Sequence, residues 1–141
     1  MKNIFVGIDV SNKTLDICIK EEGSKTFCTI ENSVKSCVKL FNLFKSKEMA
    51  IKIAMENTGR YNYNLYEALE KFSFNAFVIN PIHMKKSLGL VRGKNDKVDS
   101  ERIVFFIGLY WVAYLKWCNL YAVGRIKLND VISGSYSFQN E

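Results

Sequence analysis

Apolar and polar positions alternate with a period of two from the amino terminus, and the spacing turns helical near residue 32. Residues 3 to 10 (NIFVGIDV) are a β-rich apolar run, closed by a turn at Ser11-Asn12-Lys13. Over residues 14 to 20 (TLDICIK), Leu15, Ile17 and Ile19 share one face while Asp16, Cys18 and Lys20 take the other. Glu22-Gly23-Ser24 turns the chain again into a third strand, KTFCTI. The pattern predicts an antiparallel meander.

Asn32 or Ser33 caps a helix running to about Phe44, whose apolar stripe is Val34, Cys37, Val38, Phe41 and Phe44. Residues 50 to 55 (AIKIAM) predict a fourth strand that delivers Glu56 at its carboxyl end. A second helix follows, with Tyr61, Leu65, Ala68, Leu69 and Phe72 toward the core. Residues 74 to 79 (FNAFVI) are a fifth strand, stopped by Asn80-Pro81. This order predicts an α/β fold: a mixed five-stranded sheet flanked by helices.

Residues 82 to 97 form a basic connector carrying Lys85, Lys86, Arg92, Lys94 and Lys97, and the pattern becomes helical from Asp96. Residues 103 to 115 (IVFFIGLYWVAYL) are nearly all apolar. That run falls short of the roughly 18–20 apolar residues of a membrane span. It predicts a buried or oligomer-forming carboxyl-terminal helix and no membrane contact. The chain divides into a domain over 1–103 and a helical linker or tail over 104–141.

Composition narrows the chemistry. A chain of 141 residues, 48% hydrophobic and 13% aromatic, supports one folded core. The net charge of +6 suits a polyanionic partner such as nucleic acid. Cys18, Cys28, Cys37 and Cys118 are widely and irregularly spaced, and His83 is the one histidine, so a zinc site is not expected. Reduced cysteines in strands and on an apolar helix face, with no signal peptide, predict an intracellular, cytoplasmic protein.

Within this basic chain, four carboxylates stand at element ends: Asp9 in VGIDVS, Glu56 in AMENTG, and Asp96 and Asp99 in KNDKVDS. A charge beside strand interiors is costly unless paired or coordinated. Asp96 and Asp99 are three apart, so on a helix they share a face. The bland reading makes each a capping or solvated loop residue. Taken together, the four fit an all-oxygen site for Mg2+ or Mn2+ of the kind used in two-metal phosphodiester chemistry. Asp16 reads as structural or solvated.

These residues resemble a known family, the DEDD transposases of bacterial insertion sequences, which include pilin-gene invertases. The resemblance rests on GIDVSNKTLDI, on MENTGRYNYNLYEAL, and on VINPIHMKKSLGLVRGKNDKVDSERI, over roughly residues 3 to 103. It implies a ribonuclease-H-like, RuvC-like fold, with Asp9, Glu56, Asp96 and Asp99 as catalytic metal ligands. It implies DNA as substrate and a structured guide RNA as partner, with Lys85, Lys86, Arg92, Lys94 and Lys97 along the phosphate backbone. Members of the family carry a serine-bearing second domain. By that likeness the chain is expected to be incomplete for recombination on its own.

Two other readings compete. A non-catalytic remnant would keep the basic face and bind DNA or guide RNA without turnover. GIDVSNKT also resembles the first phosphate loop of actin-like and sugar-kinase ATPases, a fold that needs a second phosphate motif and a second lobe.

Overall fold

The computed structural model describes residues 3–46, 50–80 and 99–108. Five strands form one sheet: β1 (Asn3–Val10), β2 (Thr14–Glu21), β3 (Ser24–Glu31), β4 (Ala50–Glu56) and β5 (Asn75–Ile79). Their order is β3-β2-β1-β4-β5. The meander β1-β2-β3 is antiparallel, whereas β1–β4 and β4–β5 are parallel. The mixed sheet expected from the sequence is the one observed. Glu22 and Gly23, both at positive φ (48° and 84°), make the two-residue turn between β2 and β3. That handedness matches the twist of a tight hairpin.

Two helices, α1 (Val34–Lys45) and α2 (Tyr63–Leu69), cover one face of the sheet. Ser33 starts α1, its Oγ accepting from the Ser36 amide at 3.2 Å. On that face Ile4, Val6, Ile8, Leu15, Ile17, Ile53 and Met55 meet Cys37, Phe41, Leu65 and Ala68 in one core. Phe41 is fully buried, and its ring lies 5.6 Å from Phe72 and 5.8 Å from Phe74. Edge-on packing of this sort favours aromatic pairs beyond the area they bury.

One element differs from the sequence expectation. The second helix begins two residues after Tyr61, because a 3-10 turn (Gly59–Asn62) precedes it. Tyr61 therefore faces outward at 36% exposure instead of joining the core, and Phe72 lies beyond the helix. Asn62 takes the buried place.

Residues 99–108 are helical and form α3 on the opposite face of the sheet. Ile103, Val104, Phe106 and Ile107 are buried. The approach to β1 is close. A Cβ at Gly7 would stand 2.4 Å from the Ser100 carbonyl oxygen and 2.8 Å from the Val104 amide nitrogen. Those are backbone atoms, so neither can rotate away. An ion pair between Lys25 and Glu101 links α3 to β3. Asp96, the basic connector (Lys85, Lys86, Arg92, Lys94, Lys97) and the expected apolar helix beyond residue 108 lie outside the described residues. Among the described residues, no helix is long and apolar enough to cross a membrane.

Gly7→Ala is expected to cost about 1–3 kcal/mol by forcing α3 off the sheet, and a urea melt measures it. A loss below about 0.5 kcal/mol would mean that α3 does not rest on β1. Burial also pushes the Cys37 thiol up to about 11 from 9.0. Between those values the folded thiol keeps a proton that the unfolded one releases, so stability falls as pH rises through that window. Cys37→Ala is expected to flatten the alkaline slope in urea melts, and an unaltered slope would place its source elsewhere.

Candidate active site

Side-chain alternation sorts the sheet into two chemically different faces. The face under α1 and α2 is apolar. The face under α3 carries Gly7, Asp9, Asp16, Cys18, Lys52, Ala54 and Glu56, by the register of β1, β2 and β4. β1 and β4 run parallel, with Gly7 opposite Ala54 and Ile8 opposite Met55. One step further sets Asp9 beside Glu56, both half-buried at the carboxyl ends of neighbouring strands. Hydrogen-bonded strands stand about 4.8 Å apart, so the two carboxylates share one edge of one face.

A third carboxylate joins them. Asp16 is the cross-strand partner of Asp9 and lies on the same face. Its Oδ1 accepts from the Thr29 hydroxyl at 2.6 Å. The pattern along the chain marks Asp16 only as structural or solvated. The register between β1 and β2 brings it next to Asp9, and that register is not visible from the alternation of either strand alone. Asp16 also lines an open cleft of about 320 Å³ with Phe27, Cys28, Thr29 and Ser100, where α3 crosses the sheet.

Asp99 is the first described residue of α3, next to buried Ser100. Among the described residues, no three Asp, Glu, His or Cys side chains stand close enough together to hold one metal ion. The structure thus brings Asp9, Glu56 and Asp16 to one edge of the sheet and places Asp99 on the helix over the same face.

Hydrogen bonds shape the loop after Glu56. Asn62, fully buried, donates from Nδ2 to the Glu56 carbonyl at 3.1 Å. Its Oδ1 accepts from the Thr58 amide at 3.1 Å and from the Thr58 hydroxyl. Asn57 Oδ1 accepts from the Gly59 amide at 3.0 Å, and Gly59 sits at φ 77°, where a side chain would be strained. The Asn57 amide reaches back to the Ile79 carbonyl of β5 at 3.0 Å. Asn32 spans the neighbouring loops, donating to the Ser11 carbonyl at 2.7 Å and the Tyr61 carbonyl at 2.9 Å. The Tyr66 hydroxyl lies buried near Asn62 without good hydrogen-bond geometry, and burial pushes its pKa above the usual tyrosine range.

Lys52 lies on the carboxylate face, four residues before Glu56, and is 4% exposed. It donates to Asn3 Oδ1 at 2.8 Å and stands 5.8 Å from the Phe5 ring centroid. Burial lowers its pKa. On the rim, the Arg60 guanidinium lies 5.6 Å from the exposed Tyr61 ring.

A family model described as a transposase, of the DEDD IS110 type, matches residues 6–108. The chain belongs to the IS110-type DEDD transposase family. No curated protein matches the sequence. Among solved structures, this transposase-family chain is similar to Thermus thermophilus RuvC in complex with a Holliday junction substrate. The TM-score is 0.57 at 10% identity, over 78% of this chain and 95% of that one. A second Thermus thermophilus RuvC structure gives 0.55 at 10% identity, over 78% and 96%. At such identity the likeness is one of fold, and it identifies the sheet and its helices as RuvC-like.

Like charges directly opposite across a strand pair are destabilising. In EDTA, Asp9→Asn and Asp16→Asn are each expected to raise the unfolding free energy by up to about 1 kcal/mol. Urea melts in which both substitutions leave stability unchanged or lower would show that the two carboxylates do not repel.

Proposed function

We propose that this domain carries the metal-dependent phosphodiester chemistry of a DNA-recombining transposase, with Asp9, Glu56, Asp96 and Asp99 as the ligands of Mg2+ or Mn2+. The observation that carries the reading is that Asp9 and Glu56 stand side by side, one step past the last pair of β1 and β4. Two strands that are distant in sequence run parallel and end level, so their carboxylates share one edge. The donor set fits the ion: hard oxygen ligands suit Mg2+ and Mn2+. When bound, such ions polarise a phosphodiester and stabilise the attacking and leaving oxygens. Asp16, held by Thr29, adds a negative charge to the same face of the sheet.

DNA is the proposed substrate and a structured guide RNA the proposed partner. A net charge of +6 despite this acidic edge supports a polyanion on the surrounding surface. Lys85, Lys86, Arg92, Lys94 and Lys97 are the proposed phosphate contacts, and the apolar sequence beyond residue 108 is the proposed seam between copies. The alternative, a binding module without turnover, has the same fold and charge and differs in lacking the metal chemistry.

Calorimetry with the folded full chain is expected to show Mn2+ uptake that Asp9→Asn and Asp99→Asn each abolish. Absence of uptake by the unsubstituted protein would refute the metal site. Cleavage or strand-transfer assays in Mn2+ run beside gel shifts then separate the two readings, since binding without turnover selects the alternative. Replacing Lys85, Lys86, Arg92, Lys94 and Lys97 by Gln is expected to reduce the log–log salt slope by about one for each phosphate left without its cation. Salt-insensitive binding would overturn both readings.

A further inference from the structure

We propose that Asn62 is a positioning residue: its carboxamide sets where Glu56 stands relative to Asp9. The inference rests on the metal-site reading above for its functional meaning, and on geometry for its substance. Asn62 belongs to the 3-10 turn that precedes α2, yet it is fully buried. A buried amide is costly unless both of its ends are bonded. Here both ends are bonded to the segment that follows the candidate ligand. Nδ2 holds the carbonyl of Glu56 itself, and Oδ1 holds the amide and hydroxyl of Thr58.

The β1–β4 pairing ends at Ile8 and Met55, so on that side the ladder stops one step short of Glu56, which on its other side pairs with Ile79 of β5. Asn62 adds a hold on Glu56 from the helix side, and the Asn57 amide extends the contact with β5 by bonding to the Ile79 carbonyl. Asn32 ties the same turn to the loop after Asp9, through the Tyr61 and Ser11 carbonyls. The two asparagines thereby connect the two loops that follow the two carboxylates. Groups that orient a ligand without touching the metal are typically worth about 10–100-fold in metal affinity.

The test compares Mn2+ affinity of the full chain with that of Asn62→Ala, Asn62→Asp and Leu40→Ala. Leu40 is a buried residue of α1 whose truncation destabilises the core away from this loop. Asn62→Ala is expected to weaken Mn2+ binding about 10–100-fold, with Leu40→Ala within about twofold of the unsubstituted protein. Asn62→Asp keeps the acceptor for Thr58 and loses the donor to Glu56, so it reports on the Glu56 bond if the alanine variant does not fold. Equal affinity in the folded Asn62 variants overturns the proposal, as does an equal loss in Leu40→Ala. Amide exchange at Thr58, read without metal, separates the two layers. If the unsubstituted protein takes up no Mn2+, the metal reading fails, and faster Thr58 exchange in Asn62→Ala still upholds the positioning role. Unchanged exchange at Thr58 in Asn62→Ala removes it.

Discussion

The close approach of α3 to β1 is the constraint on which the arrangement of this molecule depends. Gly7 has no side chain, so the Ser100 carbonyl and the Val104 amide come down onto the strand itself. A helix seated at that depth buries Ile103, Val104, Phe106 and Ile107 against a face that also carries polar groups. Close packing of this kind transmits small volume changes directly to the backbone. It also keeps α3 over the middle of the sheet, where Ser100 borders the cleft beside Asp16.

The two faces of the sheet then divide the labour. Under α1 and α2 lies a continuous apolar core with an aromatic cluster around Phe41. Under α3 lie Asp9, Asp16, Glu56 and the buried Lys52, each held by strand register. Charged groups at such sites are expensive unless they are paired or coordinated. The chain belongs to the IS110-type transposase family, and its likeness to RuvC is one of fold.

Much of the architecture is legible in the chain itself. Apolar runs and period-two alternation mark all five strands to within a residue or two, and the apolar stripe with Ser33 as cap marks α1. Turn chemistry at Glu22-Gly23 and the stop at Asn80-Pro81 are local signals that burial does not override. Tyr61 misleads, since its helical spacing from Leu65 and Ala68 imitates a core position. The 3-10 turn has a different period, so it rotates Tyr61 outward and Asn62 inward. Asp16 is hidden for another reason: alternation says which face a residue takes but not what lies opposite it.

The sequence by itself determined the order of elements and the family, and it marked Asp9, Glu56, Asp96 and Asp99 as candidate ligands. Those are properties of local pattern and residue type, which a linear chain displays openly. Tertiary structure alone decided the rest: that β1 and β4 run parallel and end level, that Asp16 faces Asp9, and that a buried Asn62 grips the carbonyl of Glu56. Each of these depends on strand register or on a hydrogen bond made in the folded chain. Such pairings join positions that no local periodicity relates.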